Sequence, residues 1–138
     1  MYVYYNANPA RKSHGDCVIR ALSKVMDLTW EQVAIDLSMM QVTFHEMQNN
    51  DHVWGTYLSL NGFEKGMLPY PCPNCITIKD FCKLYPYGRY VVATGEHVVA
   101  VIDGDYYDTD DTGDEVLIYY EILYCKGGVV KSAKKEDS

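Results

Sequence analysis

Cys17, His97 and the acids that follow His97 are the residues whose types and order could perform thiol chemistry. They supply a sulfur nucleophile, an imidazole base and a carboxylate to orient it. Gly15 and Asp16 precede a run in which Val18, Leu22 and Val25, with Ile19 and Met26, recur at helical spacing. A helix of about three turns therefore begins at or next to Cys17. A sulfur at that position faces the unsatisfied amides and the positive end of the helix dipole, which favours the thiolate. The same position also suits a small buried apolar side chain with no chemistry.

His97 opens the apolar run Val98 to Ile102, and the Asp103-Gly104 pair that follows favours a two-residue type I′ hairpin turn. With those two residues as the loop, Ile102 pairs with Asp105, Val101 with Tyr106, Val99 with Asp108 and His97 with Asp110. His97, Asp108 and Asp110 then share one face of the hairpin. Asp110 is the directly opposite neighbour and Asp108 the diagonal one, and either could orient the imidazole through its second nitrogen. A histidine at a strand end beside an acidic loop is also an ordinary solvated residue. His14, three residues before Cys17, competes as a local partner or reads as a surface residue, and His45 and His52 have no motif around them.

Two further patterns imitate metal sites. Cys72-Pro73-Asn74-Cys75 has the spacing of half a zinc knuckle, with Cys82 seven residues on. A fourth ligand would have to be Cys125 or His52, neither at a recognisable spacing, so the expectation is a Pro-braced loop with ordinary thiols. The run from Asp108 to Gly113 imitates the start of an EF-hand loop, but its twelfth position is Tyr119 where a bidentate Glu is needed. No metal and no cofactor is expected, and the acidic stretch reads as a solvated hairpin tip.

The elements that must position the cysteine and histidine can be read from the remaining pattern. Residues 1–14 read as an irregular segment broken by Asn6, Asn8 and Pro9. After the helix at Cys17, a second runs from Trp30 to about Met39, with Thr29 and Gln32 spaced as a capping box. A third, capped by Asn49-Asn50-Asp51, runs through Val53, Trp54, Tyr57 and Leu60 to Asn61-Gly62. Pro69, Pro71 and Pro73 make 66–74 an extended loop, and a short helix spans Thr77 to Leu84. Strand formers dominate from Arg89 onward, at 89–94, 97–102, Tyr106-Tyr107 and 116–123. Helices first and an antiparallel sheet second give an α+β domain over residues 1–125, followed by a frayed tail over 126–138.

The 138 residues, 48% of them hydrophobic and 22% charged, suit one globular domain. A net charge of −7 and the lack of a dense basic stripe exclude nucleic acid as the expected partner. The longest apolar runs are far too short to span a bilayer. Without a basic and apolar leader at Met1, the expected location is cytoplasmic. Five cysteines, an odd number, then point to reduced thiols.

The texts Gly15-Asp-Cys-Val-Ile-Arg-Ala-Leu22 and Gly95-Glu-His-Val-Val-Ala-Val-Ile-Asp-Gly-Asp-Tyr-Tyr-Asp108 carry a resemblance. Val53-Trp-Gly-Thr-Tyr-Leu58, the Cys72 loop and Asp80-Phe-Cys82 add to it more weakly. On these residues the chain resembles small papain-like cysteine peptidase-like proteins of Gram-positive bacteria and their phages, related in plan to double-glycine leader peptidases. The similarity runs from about Tyr5 to Tyr120. It implies a papain-like fold with Cys17 as nucleophile, His97 as base, Asp108 as orienting acid and a peptide or isopeptide bond as substrate. Papain-like enzymes commonly follow the orienting residue, after one small residue, with a Trp. Here the text is Asp108-Thr109-Asp110, which would leave the His–Asp contact wetter. The family's usual Gln donor before the Cys is absent by type, which leaves Asn8, with the amide of Cys17, as the donor pair for an oxyanion. The alternatives are an inactive binding module of the same fold, such as a phage-encoded inhibitor of a host protein, and a zinc-stabilised interaction domain built on the Cys72 loop.

Overall fold

The computed structural model describes residues 1–11, 15–66, 75–95, 97–125 and 128–129; His14, Cys72 and most of the 126–138 tail lie outside them. In chain order the elements are β1 (Tyr2–Tyr4), α1 (Cys17–Met26), α2 (Trp30–Phe44), α3 (Asp51–Leu60) and β2 (Phe63–Gly66). They continue with α4 (Ile78–Leu84), β3 (Arg89–Ala93), β4 (Val98–Ile102), β5 (Asp105–Asp108), β6 (Tyr119–Cys125) and β7 (Gly128–Val129).

The sheet runs in the order β1-β5-β4-β3-β6-β2, with β7 paired to β6. Its two central strands, β3 and β4, are buried on both faces, which is why their sequences are continuous apolar runs rather than alternations. On one face Leu22 and Val25 of α1, Leu37 of α2 and Trp54 and Leu58 of α3 pack with Val91 and Ala100. On the other, Ile78 and Phe81 of α4 pack with Tyr90, Val99, Val101 and Tyr106. The result is an α+β arrangement with the sheet between three helices and one.

Local chemistry explains most boundaries. Thr29 caps α2 by accepting from the Gln32 N–H, but the Gln32 side chain donates to Asp36, so only half of the expected capping box forms. No Gly or Pro interrupts α2 after Met39, and it continues to Phe44 before His45 closes it in the left-handed region. Asn50 caps α3, and Thr77 and Asp80 form a reciprocal box on α4. In the hairpin Ile102 faces Asp105 and Val101 faces Tyr106, with Asp103 and Gly104 both at positive φ as a type I′ turn demands.

Three expectations are corrected. Residues 2–4 are a strand, parallel to β5, so the chain does not start with helices and the sheet is mixed rather than antiparallel throughout. A three-residue edge strand ahead of Asn and Pro breakers has no periodicity to read, and its partner is about a hundred residues away. Likewise Phe63–Gly66 pairs with β6, and β6 begins at Tyr119 rather than 116. Finally, Cys17 and Cys82 are free but Cys75 is disulfide-bonded. An odd cysteine count leaves a thiol over without forbidding a bridge. Among the described residues no helix is long and apolar enough to cross a membrane.

Candidate active site

The site is assembled where the start of α1 meets the start of β4 and the end of β5. Asp16 precedes α1 but does not cap it with its side chain. Its carboxylate instead accepts from the guanidinium of Arg20 one turn on, from Trp30 Nε1 at 3.0 Å and from Asn8 Nδ2 at 3.4 Å. Asp16 and Arg20 are both buried. A second guanidinium nitrogen of Arg20 lies 3.7 Å from Asp108 Oδ1, so one arginine ties the cysteine helix to the end of β5.

His97 sits one residue before β4, in a turn closed by the Thr94 N–H donating to His97 O at 2.9 Å. Its Nε2 donates to Asp108 Oδ2 at 2.6 Å. Cys17, His97 and Val98 line the same cleft, with the sulfur close enough to the imidazole and to the Val98 amide for each to act on it electrostatically. Asp108 is held further by the Thr109 N–H at 2.7 Å and the Thr112 hydroxyl at 2.9 Å. Cys17, His97 and Asp108 thus stand in sequence, the last two joined by a direct hydrogen bond and the first two facing one cleft.

The electrostatics follow from these partners. Burial alone would raise the Cys17 thiol, but the His97 hydrogen bond, the imidazolium charge, the Val98 amide and nearby Arg20 outweigh it and hold the thiol below its ordinary value. His97 is raised, first by its bond to Asp108 and then by its bond to Cys17, against the opposing effect of burial. Asp108 is lowered because His97, Thr112 and the Thr109 amide together overcome its desolvation. Each shift favours the charged state, so a thiolate–imidazolium pair backed by a carboxylate is the electrostatically preferred arrangement. The sulfur opens on a small cleft of about 160 Å³ whose walls include Asn49, Asp51, Thr94, Gly95 and His97.

The structure separates the two candidate acids. Pairing with β4 ends within β5, the chain turns away after Asp108, and Asp110 is left exposed beside the Thr109 hydroxyl. The expectation of Asp110 directly opposite His97 fails because β4 starts only at Val98 and the hairpin does not extend that far. The expected wetness of the His–Asp contact fails too: Asp108 is only 4% exposed, its oxygens filled by Thr109, Thr112 and Arg20. Asn8 points its amide at Asp16 and is not part of the cleft wall.

Arg20, Asp16, Trp30 and Thr112 were not singled out by sequence reasoning. One signal was present: an Asp and an Arg four residues apart within an otherwise apolar helix face, which is a buried pair waiting for a reason. Away from the cleft, His52 Nδ1 meets Glu46 Oε1 at 2.5 Å and His45 ends α2. Of the zinc candidates, Cys75 is bonded to sulfur, Cys72 lies outside the described residues, and burial pushes the Cys82 thiol up to about 11, away from the thiolate a metal needs. Among the described residues no group of three or more His, Cys, Asp or Glu is arranged to hold a metal. Comparison of the chain with protein-family models, with curated proteins and with solved structures found no match.

Proposed function

We propose that this chain is a papain-like thiol hydrolase acting on peptide or isopeptide bonds through Cys17, His97 and Asp108. The observation that carries the reading is Cys17 sharing a cleft with His97, whose imidazole is bonded at 2.6 Å to a buried carboxylate, with each of the three groups shifted toward its charged form. In the first step the Cys17 thiolate attacks the carbonyl carbon, the C–S bond forms and the carbonyl electrons move to oxygen. The imidazolium of His97 then gives its proton to the leaving amine as the C–N bond breaks. Water attacks the resulting thioester, His97 takes a proton from it, and the acid product leaves as the thiolate is restored. Asp108 keeps the ring oriented and its charge compensated throughout. The oxyanion falls to the free N–H groups at the start of α1, Cys17 first. Asn8, whose amide is turned onto Asp16, is left out of this step.

The test is the pH dependence of iodoacetamide alkylation of Cys17, read by peptide mass spectrometry on the unaltered chain and on His97→Ala. Cys17 should react with an apparent pKa well below the free-thiol value of about 8.5 and lose that advantage without His97. A Cys17 that titrates as an ordinary thiol in both proteins would sink the proposal. The engagement of Asn8 by Asp16 favours a second reading, an inactive module of the same plan that binds a host protein. A stoichiometric complex unaffected by Cys17→Ala, together with an inert thiol, would select it.

A further inference from the structure

A second groove, of about 310 Å³, adjoins the cleft, and Asp51 lines both. Its walls include Asp51 and Gly55 of α3, Lys65 of β2, and Tyr119 and Glu121 of β6. Glu121 is 5% exposed, yet among the described residues no hydrogen bond or ion pair engages its carboxylate. Lys65 stands opposite it in the β2–β6 register, but the Lys65 ammonium lies over the Tyr119 ring, 4.2 Å from the centroid. Asp51 accepts from the Tyr119 hydroxyl at 2.8 Å, which leaves its second oxygen open. Gly55 lies on the floor close to the carboxyl: a Cβ there would make ordinary contact, 3.8 Å, with Glu121 Oε2. A carboxyl so largely buried, with no donor and only the groove to face, is costly to ionise, and burial, opposed by the nearby Lys65 charge, pushes Glu121 up to about 7. The mechanism above makes no use of it.

We propose that this groove is a substrate subsite for a basic side chain, arginine or lysine, of a peptide, with Glu121 receiving the cationic head and Asp51 forming the wall shared with Cys17. The proposal rests on the thiol hydrolase reading for the word substrate. With Glu121 ionised, two carboxylates face the groove against one ammonium, which acts on Glu121 across the strand pair while lying over the Tyr119 ring, so the charge balance of the groove is negative and favours a cation. A guanidinium offers five donors in a planar fork, enough to engage Glu121 in two bonds and leave one for Asp51. The net charge of −7 adds a general attraction for basic peptides.

The test uses Cys17→Ala protein, so that binding is read without chemistry, and two probes, N-acetylarginine amide and N-acetylnorleucine amide, titrated against the backbone amide NMR signals of Gly55, Lys65 and Glu121. The arginine probe should shift these signals with an affinity about tenfold or more above the norleucine probe, and Glu121→Gln should abolish the difference. Asp51→Asn, whose amide oxygen can still accept from Tyr119, should reduce it by less. Equal responses to the two probes, or a preference untouched by Glu121→Gln, would overturn the subsite. Iodoacetamide reactivity of Cys17 in the unaltered chain reports on the hydrolase reading separately. A reactive Cys17 without arginine preference removes the subsite alone. An inert Cys17 with arginine preference removes the catalysis and leaves a binding site for basic groups.

Discussion

Replacing Asp108 with Asn should lower the pKa of His97 by about one to two units, because it removes the charge from the direct bond to the imidazole. The Nε2–Oδ2 distance is 2.6 Å and Asp108 is almost wholly buried, so the bond is charge-assisted and poorly screened. Hydrogen bonds to charged groups contribute about 1.5–3 kcal/mol, and one pKa unit corresponds to about 1.36 kcal/mol, which gives the range. The His97 side chain is 21% exposed, so solvent places the expectation in the lower half. Cys17 must be silent in the measurement, since the sulfur also raises the imidazole. The assay is therefore a titration of the histidine Cε1 NMR signals in Cys17→Ala and in Cys17→Ala with Asp108→Asn, with His97 assigned from a His97→Gln spectrum. Thr112→Val is the control: it removes a donor to Asp108 but keeps the charge, and should move His97 by less than about half a unit. If Asp108→Asn also moved it by less than that, the carboxylate would not be what holds the imidazolium, and the triad reading would lose its third member.

Arg20→Met should destabilise the fold by about 3–5 kcal/mol, visible as a lower urea midpoint, because it leaves Asp16 and Asp108 buried without their shared cation. Asp16→Asn should act more mildly on stability and instead lower the His97 pKa, by releasing Arg20 to turn fully onto Asp108; the same NMR titration reads it. The stability difference between the unaltered chain and Asp108→Asn should depend on pH at both ends. The depressed Asp108 contributes above its ordinary value of about 3.8 and loses the contribution as pH falls through its lower folded value; the raised His97 contributes fully below about 6.5 and loses it as pH rises through about 10. Urea unfolding at pH 3, 6 and 11 should thus show the largest gap at pH 6. Gly113→Ala should cost about 1–3 kcal/mol in thermal unfolding, because a Cβ there would run into the Tyr106 hydroxyl and the Lys79 side chain.

The parts of this protein that could be read from the chain are those whose cause is local. The start of α1 at Cys17, the Asn50 and Thr77 caps and the Asp103-Gly104 turn each follow from a few adjacent residues. The hairpin register in turn brings His97 within reach of Asp108, which is enough to mark both residues as candidates. What could not be read is what distant segments do to each other. Tyr2–Tyr4 is a strand only because β5 presents an open edge, and nothing in Met1 to Tyr5 announces that partner. Register alone put Asp110 directly opposite His97 and only the resemblance preferred Asp108; where pairing stops depends on the loop after β5, in which Thr112 bonds Asp108 and Gly113 bonds Asp111. Glu121 is buried although nothing in the residues around it announces this.

The absence of a Trp after Asp108 is answered by the helix that carries Cys17. Arg20 lies three residues after Cys17 and therefore on the same face of α1, so the element that presents the sulfur also brings a guanidinium to the far side of the acid. Thr112 covers a second side, and the contact stays dry without an indole. An arginine so close to Asp108 carries a risk, since a carboxylate neutralised by Arg20 would have little charge left for His97. Asp16 resolves the conflict by taking the direct bond to Arg20, while Trp30 and Asn8 fix Asp16 in place. Arg20 then stands 3.7 Å from Asp108, against 2.6 Å for His97, so the histidine keeps the stronger hold on the acid. Two acids and two bases in this order leave the pair of Asp108 and His97 charged but balanced, which is the condition under which the imidazolium can keep its proton until the leaving group of a thiol-catalysed reaction requires it.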